Sequence, residues 1–93
     1  MNAIKYLGEF LGTFTFISVI LIVGEPIPIA VALLVAIYLV GKISGGHVNP
    51  VVSLSMFINN KINGLDFGGY VIAQCLGAVA AVYFAKMVKN NNK

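Results

Sequence analysis

Ser44-Gly45-Gly46-His47-Val48-Asn49-Pro50, followed by Val51 to Ile58, is the stretch on which the fold turns. Two glycines loosen the backbone. Asn49 is a favourable helix N-cap, and Pro50 suits the first helical position, where its missing N–H costs nothing. Val51 to Ile58 then reads as an apolar helix. At ~1.5 Å rise per residue, Pro50 to Ile58 covers about 14 Å, half of a ~30 Å bilayer core. A short apolar helix with irregular polar backbone before it fits a re-entrant loop, which is tolerated at membrane depth only where it is buried in protein or lines a wet cavity. Taken alone, Asn-Pro marks equally well an ordinary helix start in a connecting loop.

The composition places this stretch in a membrane. The chain has 93 residues, of which 59% are hydrophobic and 10% charged, with a mean hydropathy of +0.95. A soluble domain of this size buries too little of its surface to hide so much apolar area. The length allows one unit and no second domain. The formal charge of +3 comes from lysines set against Glu9, Glu25 and Asp66, with no arginine. The lysines stand singly at the edges of apolar runs, which reads as membrane topology and argues against nucleic-acid binding. Lys5 before an apolar run resembles a signal peptide, but Glu9 interrupts the run and no small-x-small site follows before Glu25-Pro26.

Outward from the loop, three segments are long enough to cross a bilayer, at about 4–23, 28–43 and 67–88. The first carries Glu9 inside it. An intramembrane carboxylate is costly and should face protein or water. Gly8 and Gly12 in the first span, and Ala73, Gly77 and Ala81 in the third, are small residues at four-residue spacing, a pattern that permits close helix contact. Gly24-Glu25-Pro26-Ile27-Pro28 breaks the first helix and starts the second. Asn59 to Gly64 is a polar turn, Asp66 is positioned to cap the third span, and 89–93 is a polar tail. Cys75 stands alone in an apolar run and reads as core packing. The expected fold class is therefore all-α integral membrane, with three transmembrane helices and one re-entrant half-helix at about 44–58. No nucleophile–base pair or metal-ligand cluster appears, so neither enzyme chemistry nor a cofactor or metal is expected.

The loop sequence Ser44 to Ser53 resembles the first Asn-Pro-Ala loop of the aquaporin (major intrinsic protein) family. Glu9-Phe10-Leu11-Gly12-Thr13-Phe14 is similar to that family's first helix, and Ala73-Gln74-Cys75-Leu76-Gly77-Ala78 to its third. The three motifs fall in the family's order and span nearly the whole chain. The resemblance implies a pore motif at Asn49, Pro50 and Val51, with Asn49 donating to the passing solute. It implies pore-lining carbonyls at Gly45, Gly46, His47 and Val48. Glu9 would brace the loop near His47, Gln74 would support it from the third helix, and the constriction would fall on Ile29. His47 itself reads as a loop-packing residue, and Gly12 and Gly77 as helix contacts.

Three departures from the family pattern stand out. Val51 replaces the usual Ala, Ile29 replaces an aromatic, and the second repeat with its arginine is missing from this sequence. The resemblance is thus to a single half-repeat, over 1–93. Inverted repeats bring two half-helices together N-terminus to N-terminus, so the expected partners are membrane lipid, a second copy in inverted orientation or a full-length relative, and water or a small neutral solute. Lys5, Lys42 and Lys61 on one side balance Lys86, Lys89 and Lys93 on the other, so the positive-inside rule gives little preference for orientation. The alternative expectation is a non-conducting half-channel or regulatory subunit that joins a two-repeat channel.

Overall fold

The computed structural model describes residues 2–91 as four helices without strands: α1 (Asn2–Ile22), α2 (Pro26–Ser44), α3 (Pro50–Ile58) and α4 (Gly64–Asn91). Helices α1, α2 and α4 are long and apolar enough to cross a membrane. Helix α3, with 9 residues, is not. The fold is an all-helical membrane half-repeat of three spans and one half-helix.

Punctuation in the sequence sets the boundaries. Gly24, at φ 71°, ends the first crossing, and α2 starts at once with Pro26 in its first turn. At its far end Gly45 takes the left-handed conformation, φ 91°, and its N–H closes on the Gly41 carbonyl. Asn49 caps α3, its Oδ1 accepting the Val51 N–H at 2.8 Å.

The start of α4 differs from the sequence expectation. Asn63 is the capping side chain, its Oδ1 accepting the Asp66 N–H at 2.8 Å. Asp66 lies a turn inside the helix, buried, where it accepts from the Tyr6 hydroxyl at 2.9 Å and pairs with Lys5 at 3.6 Å. The cap falls on Asn63 because the polar turn hands over to helix at Gly64, which leaves Asp66 facing α1. Helix α4 also runs on through Lys89 to Asn91. No breaker stops it there, and a lysine in the last turn suits the helix dipole. The remainder of the expected tail, 92–93, lies outside the described residues.

Helix α1 is central, packed on α2 and on α4, while α3 packs on α4. The seams are lined by small residues. A Cβ on Gly77 would lie 2.6 Å from the Phe10 carbonyl oxygen, and one on Gly12 would lie 2.7 Å from Cγ1 of Val48. Ala73, Ala81 and Ala85 are buried along the same α4 stripe. Cys75 lies off that stripe and is exposed, which corrects its reading as core packing. Its neighbour Gln74 faces inward, and one residue along an α-helix turns the side chain by about 100°. Large apolar side chains such as Ile27, Tyr38, Ile72 and Leu76 project outward, as a lipid-facing surface requires.

A re-entrant loop on a buried carboxylate

The site is built around Glu9, which is fully buried in α1. Four donors converge on its two carboxyl oxygens. Oε2 accepts from the Ser44 hydroxyl at 2.6 Å and the His47 N–H at 3.0 Å. Oε1 accepts from the Val48 N–H at 2.8 Å and from Gln74 Nε2 at 2.8 Å. A buried carboxylate is tolerable only when its lone pairs are filled in this way. The result ties the loop to two spans at once.

A second layer surrounds the first. Gln74 Nε2 also donates to the Ser53 hydroxyl at 2.9 Å, and Ser53 Oγ lies 2.8 Å from His47 Nδ1. The Tyr70 hydroxyl donates to the Ser44 carbonyl at 2.6 Å. The His47 ring packs against that of Tyr70, with centroids 4.8 Å apart. Sequence reasoning had singled out Glu9, His47 and Gln74 but passed over Ser44, Ser53 and Tyr70.

The loop backbone takes left-handed conformations. Gly45, Gly46 and Val48 all have positive φ, at 91°, 63° and 46°. A β-branched residue at positive φ is strained, and Val48 is held there by its N–H bond to Glu9 and by burial against Gly12. Among the described residues, no protein group donates to the carbonyls of Gly45, Gly46, His47 or Val48. These four residues and Asn49 line one wall of an open groove of about 350 Å³, and Phe16, Leu33, Ile37, Val52 and Met56 line the rest. Asn49 Oδ1 is taken by the cap bond, and among the described residues no group accepts from its Nδ2, a donor. The groove ends at the exposed N-terminus of α3, where Pro50 and Val51 are uncovered.

The family model described as Major intrinsic protein matches residues 20–93. The chain belongs to the major intrinsic protein family. It is 44% identical over 86 residues to Glycerol uptake facilitator protein-like 6 of Lactiplantibacillus plantarum, covering 83% of this chain and 40% of that protein. It is 36% identical over 98 residues to Aquaporin NIP3-1 of Arabidopsis thaliana, covering 90% of this chain and 30% of that protein. It is 34% identical over 96 residues to Aquaporin Z of Rhodopseudomonas palustris, covering 87% and 40%. The chain thus spans less than half the length of these relatives.

As a major intrinsic protein with three crossing helices, the chain is an integral, multi-pass membrane protein. Ile29 is half-buried in the first turns of α2, with Leu33 and Ile37 of the groove wall one and two turns further along the same face. Phe16, on the α1 wall of the groove, carried no signal in the sequence.

Proposed function

We propose that the chain forms half of a transmembrane channel for water or small neutral solutes, and that a second copy in inverted orientation completes the pore. The observation that carries this reading is the open groove lined by Gly45 to Asn49, in which the carbonyls of Gly45 to Val48 accept from no group among the described residues. A neutral solute leaving water loses hydrogen bonds, and such a row of acceptors with a donor at its end replaces them. The apolar wall opposite leaves one side of the groove without competing partners. The N-terminus of α3 contributes about half a positive charge at mid-membrane, which disfavours cations and protons.

One groove is not a closed pore. Its far wall is open and the tip of α3 is uncovered, so the site needs a second half-helix facing it. The near-even spread of lysines over the two ends supports a copy of this chain as that half. Contacts of Tyr6 and Lys5 with Asp66, and of Glu9 and Tyr70 with Ser44, bring the start of α1, the end of α2 and the start of α4 to one end of the molecule. Lys5, Lys42 and Lys61 belong to that end, while Lys86 and Lys89 belong to the other.

The test is osmotic swelling of vesicles reconstituted with the purified chain, with accessibility tags on both termini. The channel reading expects swelling faster than in empty vesicles, and the inverted copy expects each terminus on both faces. A single orientation for every copy overturns the inverted pair. Absence of swelling together with co-purification of a two-repeat channel favours a subunit role instead.

A further inference from the structure

The Glu9 network also fixes where protons sit. Gln74 Nε2 lies 2.8 Å from Glu9 Oε1, so the amide must present its NH₂ to the carboxylate; turned over, it would set Oε1 against it. The orientation holds although it leaves Gln74 Oε1 buried without a partner. The same nitrogen is 2.9 Å from Ser53 Oγ, so Ser53 accepts there. The one proton of the Ser53 hydroxyl then needs an acceptor, and His47 Nδ1 stands 2.8 Å away. If Nδ1 carried a proton, Ser53 would face two donors, and its own proton would have no acceptor among the hydrogen bonds of the site.

We propose that Glu9, Gln74 and Ser53 act in series to hold His47 as the Nε2–H tautomer, and that this N–H faces the groove as a second donor to the passing solute, beside Asn49. Among the described residues no group hydrogen-bonds Nε2, and the atom keeps some exposed surface although the residue is largely buried. His47 lines the groove, and Nε2 lies beside Gly45, 3.2 Å from where a Cβ on that residue would sit. Ser53 and Gln74 are therefore positioning residues, acting through the imidazole. The titratable groups facing the ring are Glu9 from α1 and Tyr70 from α4. The solute class is a neutral molecule with a hydroxyl or water oxygen, which accepts from His47 and Asn49 and donates to the carbonyls. This last step rests on the channel reading; the tautomer does not.

The sequence contains one histidine, so the full chain, purified with a histidine-free tag and labelled with ¹⁵N-histidine, gives one imidazole spectrum. The expected result is a protonated Nε2 coupled to both ring C–H protons and an unprotonated, hydrogen-bonded Nδ1. A dominant Nδ1–H form, or an imidazolium, in the wild-type protein at neutral pH overturns the relay without recourse to any variant. Ser53→Ala is expected to admit the Nδ1–H form, and Ser53→Thr, which keeps the hydroxyl, to restore the wild-type pattern. A Ser53→Ala spectrum identical to wild type also overturns it. Adding glycerol to reconstituted protein is expected to move the Nε2 resonance and leave Nδ1 in place, and an unmoved Nε2 removes the donor role. Vesicle swelling with the wrong tautomer defeats the relay and spares the channel; the right tautomer without swelling does the reverse.

Discussion

The two edges of the 45–48 loop have opposite fates. On the inner edge, the N–H groups of His47 and Val48 are both bonded to Glu9. On the outer edge, the carbonyls of the same residues and of the two glycines accept from no group among the described residues, and all four residues line the groove. The difference teaches how an irregular backbone survives at membrane depth. One internal carboxylate satisfies the donors, and the proposed channel would use the acceptors for a guest. Half the polar backbone is structural, and the other half is left free.

Removing the anchor is the largest perturbation available. Glu9→Ala leaves the His47 and Val48 N–H groups without their acceptor, at about 1–3 kcal/mol for each buried group left unpaired, and takes one of two acceptors from both the Ser44 hydroxyl and the Gln74 amide. The expected result is a protein that melts at much lower temperature in detergent, with a loop open to proteolysis. Near-wild-type melting would dissolve the contrast between the two edges. Next comes Gly77→Ala, whose Cβ would press on the Phe10 carbonyl oxygen at the α1–α4 seam. It should cost about 1–3 kcal/mol, as overpacking does, and should loosen Gln74 from Glu9. A thermal shift in detergent reads the cost, and unchanged stability would mean that the seam yields without strain.

The remaining substitutions lie at the end of the bundle and sharpen the comparison by leaving both edges intact. Asn63→Ala removes the α4 cap, with an expected loss of about 0.5–2 kcal/mol and no change in solute flux. Lys5→Ala breaks the 3.6 Å pair with Asp66, whose Lys5 partner is partly exposed. Its expected effect is smallest, about 0–1 kcal/mol, with the Tyr6–Asp66 bond retained. A flux change in either variant would show that the loop's outer edge is coupled to this end of the molecule.

Much of this was legible because membrane chains restrict what each polar residue can do. Asn49-Pro50 after two glycines is a helix start by local chemistry alone, and the helix it opens is too short to cross. Glu9 is an expensive residue in an apolar run, so it must have partners. Other features were hidden for an equally physical reason. In a helix with lipid on one side and protein on the other, both faces are apolar, so periodicity does not mark Phe16 as a groove residue or Cys75 as an outer one. Ser44, Ser53 and Tyr70 each satisfy a partner that only the tertiary packing brings near. The cap of α4 was placed on Asp66 rather than Asn63 because a polar turn offers several capping side chains, and only the path of the backbone selects among them.

The most direct test of the central claim is stopped-flow swelling of vesicles holding wild-type protein or Asn49→Asp. The substitution keeps the Val51 cap bond and puts an acceptor where the free amide donates. The wild-type chain is expected to speed swelling, and the acid to change both its rate and its selectivity against cations. Equal fluxes in every solute for the two proteins would contradict the claim that Asn49 lines a pore.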